Sequence, residues 1–231
     1  SCLVRANLVD EEIARALQQS GCVSANWSIE CGNDRIRNEV LKRNMSREQI
    51  LEAGRLLHKY GIRQKVGNMV GLPGETFEQM RETVELNIAV RPQFCLATIF
   101  TPFPGLELTA YALDHGHLSA AAMEQLPGNY FTRSTLNFTP DEKVLIQKLS
   151  WLFQAFVDLP ALWRSRFLSR LLFAVPGPVL RLVFEIYTML KFSRQYRIKT
   201  PFAVSARIFL RQMRDSLGLH HPERKLGRRT A

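Results

Sequence analysis

The sequence has few of the residues that build metal centres. Its four cysteines, Cys2, Cys22, Cys31 and Cys95, are separated by 19, 8 and 63 residues, with no C-x-x-C pair. That spacing excludes the zinc and redox motifs that need closely spaced thiolates. Most of these cysteines lie in or beside apolar runs, where a buried, reduced thiol is expected, which fits a reducing compartment. His115-x-His117 falls in a loop and His220-His221 in a tail, and both read as solvated polar residues rather than ligands. A signal peptide is absent from the start, because Arg5 and Asp10 interrupt any apolar core. The back of the chain lacks long apolar runs. Within residues 141–231 the longest uncharged stretch, Leu171–Leu180, has ten residues and contains Pro176-Gly-Pro178. A spanning helix needs about 20.

What is present is an ordinary globular composition of 231 residues, 46% hydrophobic and 23% charged, enough for one large domain or a domain with an appendage. The net charge of +10 is lopsided. Residues 1–140 carry 14 Lys/Arg and 15 Asp/Glu, and residues 141–231 carry 17 and 6. A neutral front and a basic back imply two parts with different partners.

The front repeats one unit. Cys2–Val4 is a short apolar run. Asp10 caps a predicted helix to about Gln19, with Ile13, Ala16 and Leu17 on one face, and Gly21 ends it. Cys22–Ile29 reads as a strand. Ser46 and Gln49 form a capping box for a helix with Ile50, Ala53, Leu56 and Leu57 inward. Ile62–Val70 is the next strand. Thr76 and Gln79 cap a helix to about Val90, which Pro92 stops. Phe94–Phe100 is a nearly continuous apolar strand, and a helix follows to Asp114. Helices alternating with buried strands predict a parallel sheet. Four strands cannot close a barrel, and the chain opens on an apolar run at Ser1, so earlier strands are expected to precede it.

In parallel α/β folds ligands sit at the carboxyl ends of the strands. Glu30, in Ser28-Ile-Glu-Cys-Gly32, stands at such an end in apolar surroundings. It is either a hydrogen-bond acceptor for a ligand or half of a salt bridge to a nearby Arg. After the third strand, Gly71 and Gly74 in Gly67-Asn-Met-Val-Gly-Leu-Pro-Gly-Glu75 either let a ligand approach the backbone or only make a turn. Thr101-Pro-Phe-Pro-Gly105 is either a rigid exit at the site or a prolyl turn that holds Phe103 in the core.

In this order the motifs resemble the radical S-adenosylmethionine (SAM) enzymes, most closely those that usually carry an upstream cobalamin-binding domain. The resemblance runs from Cys2-Leu-Val-Arg-Ala-Asn7 to about Ala112. It is strongest in Ile29-Glu-Cys-Gly-Asn33, Leu41-Lys-Arg-Asn44, Asn68-Met-Val-Gly-Leu-Pro-Gly-Glu-Thr76 and Pro102-Phe-Pro-Gly-Leu-Glu-Leu108. It implies an α/β fold, a partial (βα) TIM-like barrel of which this chain supplies the last strands, the third to the sixth. It also implies a SAM site in which Glu30 contacts the methionyl or ribose end, Gly67, Met69 and Gly71 run along the adenine, and Ser28 and Thr101 are further cofactor-binding residues. Cys31 stands where the family usually has Ser, and the acid of the glycine motif falls one place late, at Glu75. The family's C-x-x-x-C-x-x-C loop, which holds a [4Fe–4S] cluster, and its D-x-H-x-x-G cobalamin loop are not in this sequence. The implied enzyme cleaves SAM to a 5′-deoxyadenosyl radical or transfers methyl groups through cobalamin. This chain alone is then expected to hold no cluster and to be inactive. The alternative is a non-enzymatic, membrane-associated or scaffolding α/β protein.

The expected organisation is a half barrel over 1–115, a connecting loop over 116–140, a basic, aromatic helical region over 141–215 and a disordered tail over 216–231. Residues 160–214 hold eleven Lys/Arg against one acid, Glu185, interleaved with aromatics. That region is a helical subdomain packed on the barrel with snorkelling Arg stems, or an interfacial helix pair on anionic membrane. Nucleic-acid contact is disfavoured, because RNA-modifying relatives usually add a β-barrel. The expected location is cytoplasmic, peripheral at the inner membrane face, and the substrate is a small or lipid-like molecule.

Overall fold

The computed structural model describes residues 1–125 and 130–196, with side chains except at 124, 125 and 192–196. The expected tail over 216–231, with His220-His221, and the stretch 197–215 lie outside the described residues. The front runs β1 (Cys2–Leu3), α1 (Glu11–Gln19), β2 (Ser24–Glu30), α2 (Arg47–Lys59), β3 (Arg63–Val70), α3 (Phe77–Val90), β4 (Phe94–Ile99) and α4 (Glu107–Asp114). Four helices follow: α5 (Pro140–Asp158), α6 (Pro160–Arg164), α7 (Arg166–Ala174) and α8 (Gly177–Tyr196). The strands pair in chain order, all parallel. The architecture is therefore α/β, with a mostly helical C-terminal region.

Local chemistry sets the elements. The Asp10 side chain accepts the Ile13 N–H, and both predicted capping boxes form, Ser46 with Gln49 and Thr76 with Gln79. Arg91 ends α3 in the left-handed region. The inward face predicted for α2 holds: Ile50, Ala53, Leu56 and Leu57 are buried. That of α1 shifts. Ala14 is the residue buried there, whereas Ile13 is 38% exposed. A nine-residue helix beside a two-residue strand has little sheet to cover, so small Ala14 makes the contact.

Side chains alternate across the sheet. In β3, Gln64, Val66, Asn68 and Val70 are buried, while Arg63, Lys65, Gly67 and Met69 are half-exposed. The buried face forms one core with α2, α3 and α5. One buried polar pair ties α3 to β3: the Asn87 amide donates to Asn68 Oδ1 at 2.8 Å and to Thr83 O at 2.8 Å. The outer edge of β4 is covered rather than free. Its Cys95 N–H donates to Gln154 Oε1 of α5 at 2.6 Å, and its Ile99 N–H to Tyr130 O at 2.7 Å. Helix α5 thus shares the core of the sheet, and the expected connecting loop contributes an edge partner. Phe103 is 42% exposed, so the prolyl turn does not carry it into the core.

Candidate functional site

The carboxyl end of the sheet gathers the predicted residues. Ser28 of β2 is the register partner of Gly67 in β3. A Cβ built on Gly67 would lie 2.9 Å from Ser28 Oγ, so glycine there leaves the space to the neighbouring hydroxyl. Two residues on, the β2–β3 register shifts, and Glu30 takes φ 67°, in the left-handed region that non-glycine residues rarely occupy. Its carboxylate is half-buried, 3.9 Å from Arg43 Nη2. Burial pushes the Glu30 carboxyl up, against the Arg43 charge and a Ser28 hydrogen bond. The two sequence readings of Glu30 are thus both present: an arginine stands beside it, too loosely to use up its acceptor sites. Met69, on the same face as Gly67, packs partly buried beside the cluster containing Ile36, Leu72 and Phe100. Thr101, half-buried, donates to Ile99 O at 3.4 Å. Gly71 differs from the others. It has φ 69°, and a side chain there would meet Ile146 of α5 at 3.1 Å, so its need for glycine comes from the turn and from α5.

The backbone strain is local. Among the described residues the non-glycine positions with positive φ are Glu30, Lys42, Asn44 and Arg91; Glu30 ends β2, and Lys42 and Asn44 lie in the segment that follows it. Such strain persists where surroundings over-determine it. Here the surroundings are Arg37, which the sequence reading did not single out, and Gly32 and Glu75, which it named in its motifs without giving them a role. Arg37 is fully buried and donates to Met45 O at 2.9 Å, to Cys31 O at 3.0 Å and to Gly32 O at 3.1 Å, and it pairs with Asp34. Gly32 lies against the α3 backbone: a Cβ would sit 2.3 Å from the Glu82 carbonyl carbon. Its N–H donates to Thr83 Oγ1 at 2.8 Å. Glu75 is buried behind the Gly71 turn, accepting the Leu72 N–H at 3.0 Å and the Cys31 thiol at 3.5 Å. Burial raises its pKa to about 7 despite those bonds. The Asp34–Arg37 spacing at i, i+3 was the one signal in sequence for Arg37.

Two surface cavities of about 620 Å³ each lie elsewhere, one around Arg133, Thr135 and Lys143, the other around Arg47, Pro92 and Arg164. The half-exposed face carrying Ser28, Glu30 and Gly67, which lines neither of these cavities, forms a shelf near the strand ends. Among the described residues no three His, Cys, Asp or Glu side chains are placed to hold a metal ion.

Comparison with known proteins bears on this shelf. Residues 1–86 match the model of the radical SAM superfamily. The radical SAM match thus covers β1 to β3, the Glu30 segment and the Gly67–Glu75 turn. A Pyrococcus horikoshii protein named as an uncharacterized methyltransferase is 28% identical over 114 residues, 49% of this chain and 25% of that protein. The chain therefore spans about a quarter of the length of this curated relative. The structure of coproporphyrinogen III oxidase (HemN) from Escherichia coli, described as a radical SAM enzyme, has a TM-score of 0.47 and 15% identity, covering 66% of this chain and 31% of that one. The match and the methyltransferase-named relative support an enzyme by resemblance.

The shelf fits one of the two cofactors that a radical SAM resemblance implies. A carboxylate with free acceptor sites, the Ser28 and Thr101 hydroxyls and bare Gly67 suit the ammonium, ribose and flat base of SAM. The cysteines do not suit a cluster. Cys31 and Cys95 are buried, with thiol pKa values pushed up chiefly by burial, so neither is poised as a thiolate ligand. The Cys2 and Cys22 sulfurs lie 3.5 Å apart, a pairing the sequence spacing did not reveal, at the amino ends of β1 and β2, remote from Glu30. Burial and Cys22 raise the Cys2 pKa to about 11.

Proposed function

We propose that this chain is the SAM-holding half of a radical SAM barrel enzyme, with the cluster supplied by other sequence of the same protein. The observation that carries this reading is Glu30, held in left-handed backbone at a parallel-sheet carboxyl edge beside Ser28 and a side-chain-free Gly67. In that role Glu30 accepts hydrogen bonds from the ammonium or ribose hydroxyls, and Ser28 and Thr101 add polar contacts. Gly67 lets the base approach the β3 backbone, with Met69 as apolar wall. Gly71 sets the turn that ends the strand. Arg37, Gly32 and Glu75 are positioning residues: Arg37 and Glu75 bind backbone next to the shelf, and the Gly32 N–H holds the exit of β2 to Thr83 of α3. SAM, when bound, would supply radical chemistry or a methyl group. The name of the Pyrococcus relative favours the methyl group, for which cobalamin on an upstream domain is the carrier that the sequence resemblance implies.

The test is an amide-resolved NMR titration of the 231-residue chain with SAM. The expected shifts cluster at residues 28–33 and 67–71 and vanish in Glu30→Ala. No shift at millimolar SAM, or shifts confined to other surfaces, would sink the proposal.

A further inference from the structure

Helix α8 is apolar on two sides. Its inner side packs on the body: Leu180 is buried, the Phe184 ring lies 5.4 Å from that of Phe131, and Lys191 donates to Asp158 of α5 at 3.0 Å. On another side Val179, Leu182, Val183, Ile186 and Leu190 form a stripe at helical spacing, all exposed, Val183 by 54%. Helix α7 exposes two more apolar side chains, Phe167 by 74% and Leu171 one turn on. A soluble domain rarely leaves so continuous an apolar surface bare. Its basic neighbours are Arg166 and Arg170, exposed and flanking Phe167 and Leu171 on α7. The sequence from 160 to 214 carries eleven Lys/Arg and one acid. No single described helix is long and apolar enough to cross a bilayer, and α7 with α8 to Lys191, which would be together, is bent by 106°.

We infer that the α7–α8 surface lies in the interface of a bilayer rich in anionic lipid, its apolar stripe among the acyl chains and its arginines at the headgroups. Charge selects this occupant. A protein partner would have to match a surface whose α7 and α8 carry one acid, Glu185, whereas anionic headgroups suit the exposed Arg166 and Arg170, and an amphipathic basic surface with Phe and Leu is what partitions there. The sharp bend lets both helices lie in one plane instead of stacking into a span. This inference stands apart from the SAM site, which lies on the sheet.

Vesicle flotation of the 231-residue chain tests it. Vesicles of phosphatidylcholine with phosphatidylglycerol are expected to float at least about tenfold more protein than phosphatidylcholine alone, with the difference lost in high salt. Phe167→Asp with Val183→Asp should abolish flotation while circular dichroism stays unchanged, since both side chains are exposed. Arg166→Glu with Arg170→Glu should weaken binding to anionic vesicles only. Failure to float on either vesicle overturns the inference. So does equal flotation on both, retention through high salt and alkaline carbonate, or a self-associated chain that F167D/V183D makes monomeric without any vesicle binding.

Discussion

Glu75 shows how one buried side chain can make this fold pH-dependent. Its carboxyl accepts the Leu72 N–H and the Cys31 thiol, yet burial raises its pKa from the ordinary 4.5 to about 7. Below about pH 4.5 the group is protonated in both folded and unfolded chains and exerts no effect. Between about 4.5 and 7 the unfolded chain releases the proton and the folded one keeps it, so stability falls as pH rises. Above about 7 the loss is complete, up to ~3 kcal/mol. Denaturant midpoints at pH 5 and pH 8 should differ by less in Glu75→Gln than in the wild type. An unchanged difference would show that the carboxyl is not strained by burial. Glu30 belongs to the same scale but a different purpose. Its raised pKa comes with partial exposure and an arginine 3.9 Å away, which suits the acceptor role proposed for it.

At the level of elements, the decisive contact is between the exit of β2 and α3. Gly32 N–H meets Thr83 Oγ1, and no side chain fits between Gly32 and the Glu82 carbonyl. Gly32→Ala should therefore push α3 from the sheet and cost about 2 kcal/mol or more, measured by urea unfolding. The same substitution at Gly61, φ 67° with nothing near a Cβ, tests backbone strain alone and should cost less. If the two variants lose equal stability, close packing at Gly32 is not what the glycine provides. The α3–β2 contact matters for the site because it anchors the strained segment from which Glu30 projects.

Over the whole molecule, a covered β4 edge and a basic apolar helical surface sit on the main core, and the polar shelf adjoins a second apolar cluster around Ile36 and Leu72. In the proposed function Ser28, Glu30 and Thr101 contact SAM, while the four cysteines lack the arrangement for a cluster. Anaerobic reconstitution of this chain with iron and sulfide is expected to leave it without charge-transfer absorbance. About four irons per chain, with that absorbance, would show that the chain builds a cluster site of its own.

Periodicity and capping chemistry are local, so the sequence alone determined the strands, the helices and their parallel order. Ser46–Gln49 and Thr76–Gln79 announce helix starts within four residues, and the alternation in Arg63–Val70 assigns its two faces. The motif order also pointed to Ser28, Glu30, Gly67, Met69 and Thr101, which lie in or just after the carboxyl halves of the strands. What only the tertiary structure decided depends on residues far apart in the chain. Glu75 meets Cys31 across 44 positions, Gly32 meets Thr83 across 51, and Cys95 meets Gln154 across 59. Cys2 and Cys22 come together because β1 and β2 pair, which no spacing rule encodes. The second apolar side of α8 became legible only once α5 was seen to occupy the first, since a sequence shows how many faces are apolar but not which of them is already covered.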